Sequence, residues 1–444
     1  MANEMFPSEI LALLRQRSCS IVGAAGIAAT VLMLTIAMAG SALAQSRAEF
    51  VTVGRTPAVL HRPDSGTPHV AILYENGMSA SHPMCTEMAR RGFVTLCIIE
   101  STTGDSWENV ALEVKAGVEY LRKQPGITKV ILYGHSGGGA VASFYQAVAE
   151  NGVAFCQNPK KLSACSDRLA GMPPADGVLF PDAHPGMAVM DLRMINPSVS
   201  SDGLKTRVDP ALDPFNPKNG FNPSGPSHFS AEFLEKYHKA QAQVMTQLIA
   251  KAQQLQAKMR SGEITDPTAD SVAIVGFAMN AHLDALDPSI ESLMATRQPR
   301  RLLRNDGSIV TEKIHSVAVV NGAQPPARFA ASEGTSAHFL SRVAVRATES
   351  VNGVEFCSAN SATVCNAQNI RVPVLFIAAG ASSFIADEEI MFETSPAKDK
   401  EYIVVEGATH GGQPCRQCEK TPGQYGNSES NMYTYISDWI NKRF

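Results

Sequence analysis

The stretch VILYGHSGGGA, residues 130–140, sets four apolar residues before Gly134-His135-Ser136 and three glycines after the serine. VILY is typical of a buried strand, and AVASFYQAVAENG, residues 140–152, has apolar residues at helical spacing. A serine between a strand and a helix indicates a nucleophile on a sharp turn, where glycines remove the Cβ atoms that would clash. The alternative is a flexible glycine loop, but the strand and helix on either side favour the turn.

The composition is that of a globular protein. The chain has 444 residues, of which 44% are hydrophobic and 18% are charged, enough for one large core or two modest ones. Nucleic-acid binding favours a basic face, and a formal net charge of -4 gives no electrostatic reason to expect one, so we expect no nucleic-acid partner.

Residues 1–44 have the pattern of an export signal. Arg15 and Arg17 precede the uncharged stretch SIVGAAGIAATVLMLTIAMAG, and the small residues Ala42 and Ala44 suit signal peptidase. We therefore expect cleavage after Ala44 and a secreted or periplasmic protein without stable membrane association. The alternative is an uncleaved anchor, since about 18 apolar residues can span a bilayer.

Export makes disulfides the expected state of the cysteines. The stretches CQNPKKLSAC (156–165), CSANSATVC (357–365) and CRQC (415–418) each predict a local disulfide, while Cys85 and Cys97 either pair or remain buried thiols. The CxxC pattern is also half of a zinc site, but no second half with ligand spacing lies nearby. We expect no metal and no cofactor.

Short apolar runs alternate with amphipathic stretches from residue 49, which predicts a parallel sheet covered by helices. ENVALEVKAGVEYLRK is such a helix, with Val110, Val114, Val118 and Leu121 on one stripe. The expected fold class is α/β, with a doubly wound, mostly parallel sheet. Six strands are predicted, in HVAILYENG, FVTLCIIES, KVILY, DGVLF, VPVLFIAAG and EYIVVEGATH.

Between residues 187 and 370 this alternation is lost. A loop rich in Pro, Asn and Gly, DPALDPFNPKNGFNPSGPS, precedes a long predicted helix with Ser230 as its N-cap. We interpret 187–370 as an inserted cap or lid between two parts of one core, 45–186 and 371–444. The predicted apolar stripe of the long helix is Phe233, Tyr237, Val244, Leu248, Ala252, Leu255 and Met259.

The sequence Gly134-His135-Ser136-Gly137-Gly138 between a strand and a helix resembles the nucleophile turn of the α/β-hydrolase superfamily, and the resemblance covers roughly residues 49–186 and 371–444. It implies the α/β-hydrolase fold with Ser136 as nucleophile. It also implies a general base on the loop after the last strand, where His410 follows YIVVEGAT. We interpret His135 as a spacer of the turn.

The resemblance further implies two N–H donors for an oxyanion, Gly137 after the serine and Met78 in the turn ENGMS. The third member of a triad is open. Most of the superfamily carries an acid just past the strand VPVLFIAAG, where this chain has Ser382 and Ser383.

Three alternatives remain for the group that orients His410. Asp182 follows the preceding strand, as in some superfamily members, and is preferred. Asp387 lies later in the chain, where it can also cap a helix. A serine or a bound water is the third alternative.

Other polar features have structural interpretations. The run RQPRRLLR around Arg300 and Arg301 indicates a solvated face rather than a carboxylate clamp. The acidic loop with Asp209 and Asp213 lacks the ligand spacing of a calcium loop. His184 follows the fourth strand, where it can line a pocket.

The sequence therefore predicts an exported serine hydrolase that cleaves carboxylic esters of a small-molecule or lipid-like substrate. An amidase or peptidase would use the same residues. A non-catalytic binding protein that kept the fold is the alternative from another class.

Overall fold

The structure, a computed structural model, describes residues 45–75, 82–99, 107–201, 206–276, 283–318 and 330–444. Its strands, in chain order, are β1 (Ser46–Val53), β2 (Thr56–Pro63), β3 (Val70–Glu75), β4 (Val94–Ile98), β5 (Lys129–Tyr133), β6 (Gly177–Pro181), β7 (Val199–Ser201), β8 (Thr206–Val208), β9 (Val272–Gly276), β10 (Arg300–Leu303), β11 (Ile309–Glu312), β12 (Ala330–Gly334), β13 (Arg346–Ala347), β14 (Val354–Glu355), β15 (Val374–Ala379) and β16 (Lys400–Val405). Ten of these strands form one sheet in the order β1-β2-β4-β3-β5-β6-β15-β16-β10-β11.

The α-helices of the described residues, in chain order, are α1 (Pro83–Arg90), α2 (Trp107–Arg122), α3 (Gly138–Asn151), α4 (Met187–Met194), α5 (Ala231–Ser261), α6 (Leu283–Leu286), α7 (Glu291–Met294), α8 (Ser336–His338), α9 (Thr363–Ala367), α10 (Ile385–Thr394) and α11 (Ser428–Asn441). α2 buries the predicted stripe of Val110, Val114, Val118 and Leu121. This confirms the helical period predicted from the sequence.

The sheet is buried on both faces. In β3, Ala71 and Leu73 point into a core shared with α2 and α3, whereas Ile72 and Tyr74 point into a second core shared with α1 and α11. From β4 to β10 neighbouring strands run parallel, and the six predicted strands are β3, β4, β5, β6, β15 and β16. The predicted doubly wound, mostly parallel sheet is confirmed.

Two antiparallel hairpins extend the sheet beyond those six strands. β1 and β2 form one edge, and β10 and β11 form the other. β10 contains the RQPRRLLR run, and Arg300 in it is only 18% exposed because it pairs with Glu389 and Glu393 of α10. The interpretation of this run as a solvated face is wrong at Arg300. Residues 300–312 of the 187–370 segment therefore belong to the main sheet.

The long helix α5 forms where the sequence predicts it, with the Ser230 hydroxyl accepting from the Phe233 N–H at 3.2 Å. Its buried face differs from the predicted stripe because Gln241 lies on it. The Gln241 side-chain amide donates to the carbonyl oxygens of Arg193 and Ile195. A polar residue therefore joins the helix to the segment at the end of α4. Val244, Leu248 and Leu255 lie beside that face and are partly buried.

Four disulfides link the eight cysteines of the described residues. Cys156–Cys165, Cys357–Cys365 and Cys415–Cys418 are the three predicted local pairs. Of the two alternatives for the remaining cysteines, pairing is the one found, and Cys85–Cys97 joins α1 to β4. The expectation of disulfides is confirmed.

None of the helices in the described residues is both long and apolar enough to cross a bilayer. The predicted export signal, residues 1–44, lies outside the described residues.

Candidate active site

Ser136 lies on the turn between β5 and α3 in a left-handed backbone conformation, with φ of 55°. Such a conformation is strained for a residue with a Cβ, and the close approach of the flanking backbone explains the glycines around it. A Cβ on Gly134 would lie 2.9 Å from the Gly139 Cα, and a Cβ on Gly139 would lie 2.6 Å from the Ala183 Cβ. Gly134 and Gly139 are therefore required by close packing rather than by flexibility.

His410 lies on the loop after β16, and its ring reaches the serine. Its Nε2 is 2.8 Å from the Ser136 Oγ, and its side chain is 43% exposed. The loop is fixed at both sides of the histidine, because Ala408 forms a β-bridge with Pro414 and the Cys415 N–H donates to the Gly407 carbonyl at 2.8 Å. The imidazole is thus held against the hydroxyl while remaining accessible.

Asp182 is the residue directly after β6, and its carboxylate faces the other nitrogen of the same imidazole. Its Oδ2 lies 2.5 Å from His410 Nδ1, while its Oδ1 accepts from the Ala379 N–H at 3.0 Å. With φ of 45°, Asp182 and Ser136 are the two non-glycine residues with positive φ in the described part of the chain. Both strained positions therefore belong to this cluster.

The hydrogen bonds assign the protons of the imidazole. A carboxylate only accepts, so Nδ1 of His410 carries the hydrogen and donates to Asp182. Nε2 is then the acceptor for the Ser136 hydroxyl. This tautomer is the one in which a histidine can take the serine proton.

The pKa of His410 results from opposing effects. Burial lowers it, but the hydrogen bond from Nδ1 to Asp182 and the negative charge of Asp182 outweigh burial, so the pKa is raised above its ordinary value of 6.5. Asp182 thus stabilises the protonated imidazole as well as orienting the neutral one.

Asp387, the other acid considered from the sequence, is held elsewhere. Its two carboxylate oxygens accept from the guanidinium of Arg193 at 2.7 and 2.9 Å, and its side chain is 2% exposed. The expectation that Asp387 caps a helix is wrong, because the N-cap of α10 is Phe384 and Asp387 lies inside the first turn. Arg193 is far from Asp387 in sequence, so no local pattern indicated this pair.

The order of these residues along the chain decides the fold family. The serine, on a strained strand-to-helix turn above a parallel sheet, is followed by the acid and then by the histidine on the loop after β16. This order distinguishes the α/β-hydrolase arrangement from those of the other serine-nucleophile folds. The chain has the α/β-hydrolase fold.

No protein-family model and no curated protein sequence matches this chain. Among solved structures, a hypothetical protein from Pseudomonas aeruginosa is 15% identical, with 91% of this chain and 95% of that chain covered and a TM-score of 0.39. A hormone-sensitive lipase from a metagenome library is 10% identical, with 90% and 87% covered and a TM-score of 0.39. A dienelactone hydrolase from Anabaena variabilis is 11% identical, with 90% and 98% covered and a TM-score of 0.35.

Gly137, the first predicted oxyanion donor, is the N-cap residue of α3. The next two N–H groups of the turn are engaged, since Gly138 donates to the His135 carbonyl and Gly139 to the Ser136 carbonyl. Among the described residues, no acceptor is found for the Gly137 N–H. Met78, the second predicted donor, lies outside the described residues.

His135 has a more specific role than the predicted spacer. Its Nε2 donates to the His410 carbonyl oxygen at 2.7 Å, and its ring lies between those of His82 and His410 at centroid distances of 5.0 and 4.7 Å. Burial, followed by the charges of His410 and His82, lowers the pKa of His135 well below its ordinary value. His135 is therefore a neutral support for the loop that carries His410.

The contacts that Phe384 and Glu388 make near the site were not predicted from the sequence. The Phe384 ring packs edge-on against the His410 ring at 5.4 Å and against His184 at 6.1 Å. The N–H of Ala183, next to Asp182, donates to the buried carboxyl of Glu388 at 2.5 Å. A phenylalanine and a glutamate near a helix start are ordinary sequence features, so only their position in the fold reveals these contacts.

In the part of the chain that the structure describes, no three His, Cys, Asp or Glu side chains cluster in a way that could hold a metal ion.

Proposed function

We propose that this protein is an exported serine hydrolase that cleaves carboxylic esters through an acyl-enzyme on Ser136. The observation that carries the proposal is the continuous chain of hydrogen bonds from Ser136 Oγ through His410 to Asp182, at 2.8 and 2.5 Å. A serine hydroxyl is a weak nucleophile without an adjacent base, and a base needs a partner that fixes its tautomer. The proposed nucleophile, its base and the partner of the base lie within hydrogen-bond distance of one another.

The proposed reaction has two halves. Ser136 Oγ attacks the ester carbonyl carbon while His410 Nε2 takes the hydroxyl proton, and the carbonyl oxygen becomes an oxyanion that accepts from the Gly137 N–H. The bond to the alcohol oxygen then breaks as His410 returns the proton to the leaving alkoxide. Water, deprotonated by His410, attacks the acyl-enzyme, and the carboxylic acid leaves as Ser136 regains its proton.

Met78 is the proposed second oxyanion donor, and Asp182 is the group that stabilises protonated His410 during both halves. Esters are favoured over amides because an alkoxide leaves more readily than an amide anion, so less assistance is needed. Small-molecule or lipid-like esters are the proposed substrates, without a cofactor.

Export is part of the proposal. Four disulfides in the described residues fit an oxidising compartment, and this supports a secreted or periplasmic location. Sequencing of the mature N-terminus is expected to begin at Gln45. A chain that retains residues 1–44 and stays with membranes would establish the anchor instead.

A fluorophosphonate probe and a p-nitrophenyl acyl ester test the activity. Ser136 is expected to be labelled stoichiometrically, and Ser136→Ala is expected to lower ester hydrolysis by a factor on the order of 10³ or more while folding normally. Retained hydrolysis in Ser136→Ala would exclude the nucleophile. No labelling of folded wild-type protein would favour the non-catalytic alternative, and cleavage of amides at a similar rate would favour an amidase.

A further inference from the structure

The N-terminal half of α10 carries three consecutive buried carboxyl side chains, Asp387, Glu388 and Glu389. Asp387 pairs with Arg193, as described above. Glu389 accepts from Arg300 Nε at 2.5 Å and from two backbone N–H groups that precede β10. Glu388 makes a different contact, since it accepts from the Ala183 N–H at 2.5 Å. Of the three, Glu388 is thus the one bonded to the loop that carries Asp182.

The peptide that Glu388 contacts is the one that needs support. Asp182, with its positive φ, holds a conformation that persists only where the surroundings impose it. The Asp182 N–H donates to the Ile377 carbonyl at 2.7 Å, and the next N–H donates to Glu388. Ala183 itself is fully buried against Gly139 of the nucleophile turn.

The same helix also contacts the histidine. Phe384, the N-cap residue of α10, packs its ring against His410, and its carbonyl oxygen accepts from the Glu388 N–H at 2.9 Å. The start of α10 therefore contacts both the proposed base and the loop of the proposed acid.

We propose that Glu388 is a positioning residue, whose carboxyl group holds the Asp182–Ala183 peptide in the orientation that brings Asp182 to His410. This inference rests on the proposed function, because it assigns a role in the same reaction. Glu388 acts through Asp182 and has no contact with Ser136 among the described hydrogen bonds.

The protonation state of Glu388 agrees with this role. Burial, and next the negative charge of Asp182, raise the pKa of Glu388 well above its ordinary value, with Asp387 on its own helix acting in the same direction. Tyr402 of β16 also lies near Glu388, and burial followed by the charge of Glu388 raises the pKa of Tyr402. A neutral carboxyl group still accepts a hydrogen bond through its carbonyl oxygen, yet it adds no second negative charge beside Asp182.

The test compares two substitutions of similar size. Glu388→Met removes the acceptor from a buried N–H, so Asp182 is expected to move and kcat to fall on the order of 10²-fold with KM unchanged. Glu388→Gln retains a neutral carbonyl acceptor and is expected to rescue most of that loss. Glu389→Gln is the matched control, since Glu389 is an equally buried neighbour on the same helix whose contacts lie away from Asp182.

A second measurement does not depend on turnover. NMR titration of the His410 ring, assigned with His410→Gln, is expected to show a lower pKa in Glu388→Met than in the wild type, because the imidazole loses the effect of Asp182. The titration is expected to be unchanged in Glu389→Gln and nearly restored in Glu388→Gln. Should Glu388→Met not fold, Glu388→Asp withdraws the carboxyl group by one methylene and is expected to lower kcat and the His410 pKa in the same direction.

The inference is overturned if Glu388→Met retains the wild-type kcat and His410 pKa. It is equally overturned if Glu388→Gln is as impaired as Glu388→Met, or if Glu389→Gln changes both quantities as much. Failure of the proposed function has a different signature. In that case Ser136→Ala leaves hydrolysis unchanged, while the His410 titration still reports whether Glu388 positions Asp182.

Discussion

Two neighbouring strands, β6 and β15, run parallel in the middle of the sheet, yet the loops that follow them have different roles. After β6 the first residue is Asp182, whose carboxylate reaches His410 directly. After β15 the chain continues through Ser382 and Ser383 into α10, and its first acid, Asp387, pairs with Arg193. The strands pair in register from Val374 opposite Val178 to Ile377 opposite Pro181, so the loop after β6 begins beside the last residues of β15.

The difference follows from the local backbone after each strand. Asp182 reaches the histidine because its φ of 45° turns the chain immediately after the strand. Asp387 lies on the first turn of a helix, and a helical position cannot be redirected without unfolding the turn. The last residue of β15, Ala379, instead donates its N–H to Asp182, so the end of this strand supports the acid that follows the neighbouring strand.

Replacing the acid that contacts His410 is expected to have the largest effect. Asp182→Asn preserves shape but removes the charge that stabilises protonated His410, and the equivalent Asp-to-Asn change in the triad of a serine protease lowers kcat by about 10⁴. A loss of similar size is expected here. Steady-state kinetics measures the loss, and circular dichroism checks the fold. A variant that keeps a tenth or more of wild-type kcat would contradict the role of Asp182.

Asp387→Asn is expected to change stability rather than turnover. It breaks the buried ion pair between Asp387 and the Arg193 guanidinium, and breaking a buried ion pair costs about 3–5 kcal/mol. Denaturant unfolding measures this change, with kcat of the folded enzyme near the wild-type value. If kcat instead collapses while stability is retained, the roles of the two aspartates are reversed.

The pH dependence of kcat/KM distinguishes Asp182 from Asp387 by a smaller but independent effect. His410 must be neutral to accept the Ser136 proton, and because its pKa is raised, kcat/KM is expected to fall as pH drops through a value above 6.5. Asp182→Asn removes the carboxylate hydrogen bond and the negative charge that raise the His410 pKa, while burial still lowers it. The fall of the residual kcat/KM is therefore expected to occur at lower pH. Asp387→Asn is expected to leave the pH at which kcat/KM falls unchanged. A shift in this variant would contradict the separate roles of the two aspartates.

The two histidines next to His410 are not expected to contribute to this fall of kcat/KM. Burial, and next the charge of His410, lower the pKa of His82 to about 4, and the pKa of His135 also lies well below the ordinary range. Both therefore stay neutral where His410 titrates.

The sequence by itself determined the central strands, the nucleophile turn and the local disulfides. Buried parallel strands are continuous apolar runs, and such runs are present in VILY and in the other predicted strands. Gly134 follows from its close approach to Gly139 within one turn, and the predicted disulfides join cysteines only 3–9 residues apart. Each of these features depends on residues that are near one another in the chain.

Tertiary structure decided the features that depend on distant residues. The position of Asp182 results from its φ and from Ala379, and the separate role of Asp387 results from Arg193 on another segment. The same holds for Gln241, which turns the buried face of α5 because backbone carbonyls of a distant segment accept its hydrogen bonds. No periodicity encodes such partners, since a hydrogen-bond acceptor far along the chain leaves no mark on the local pattern.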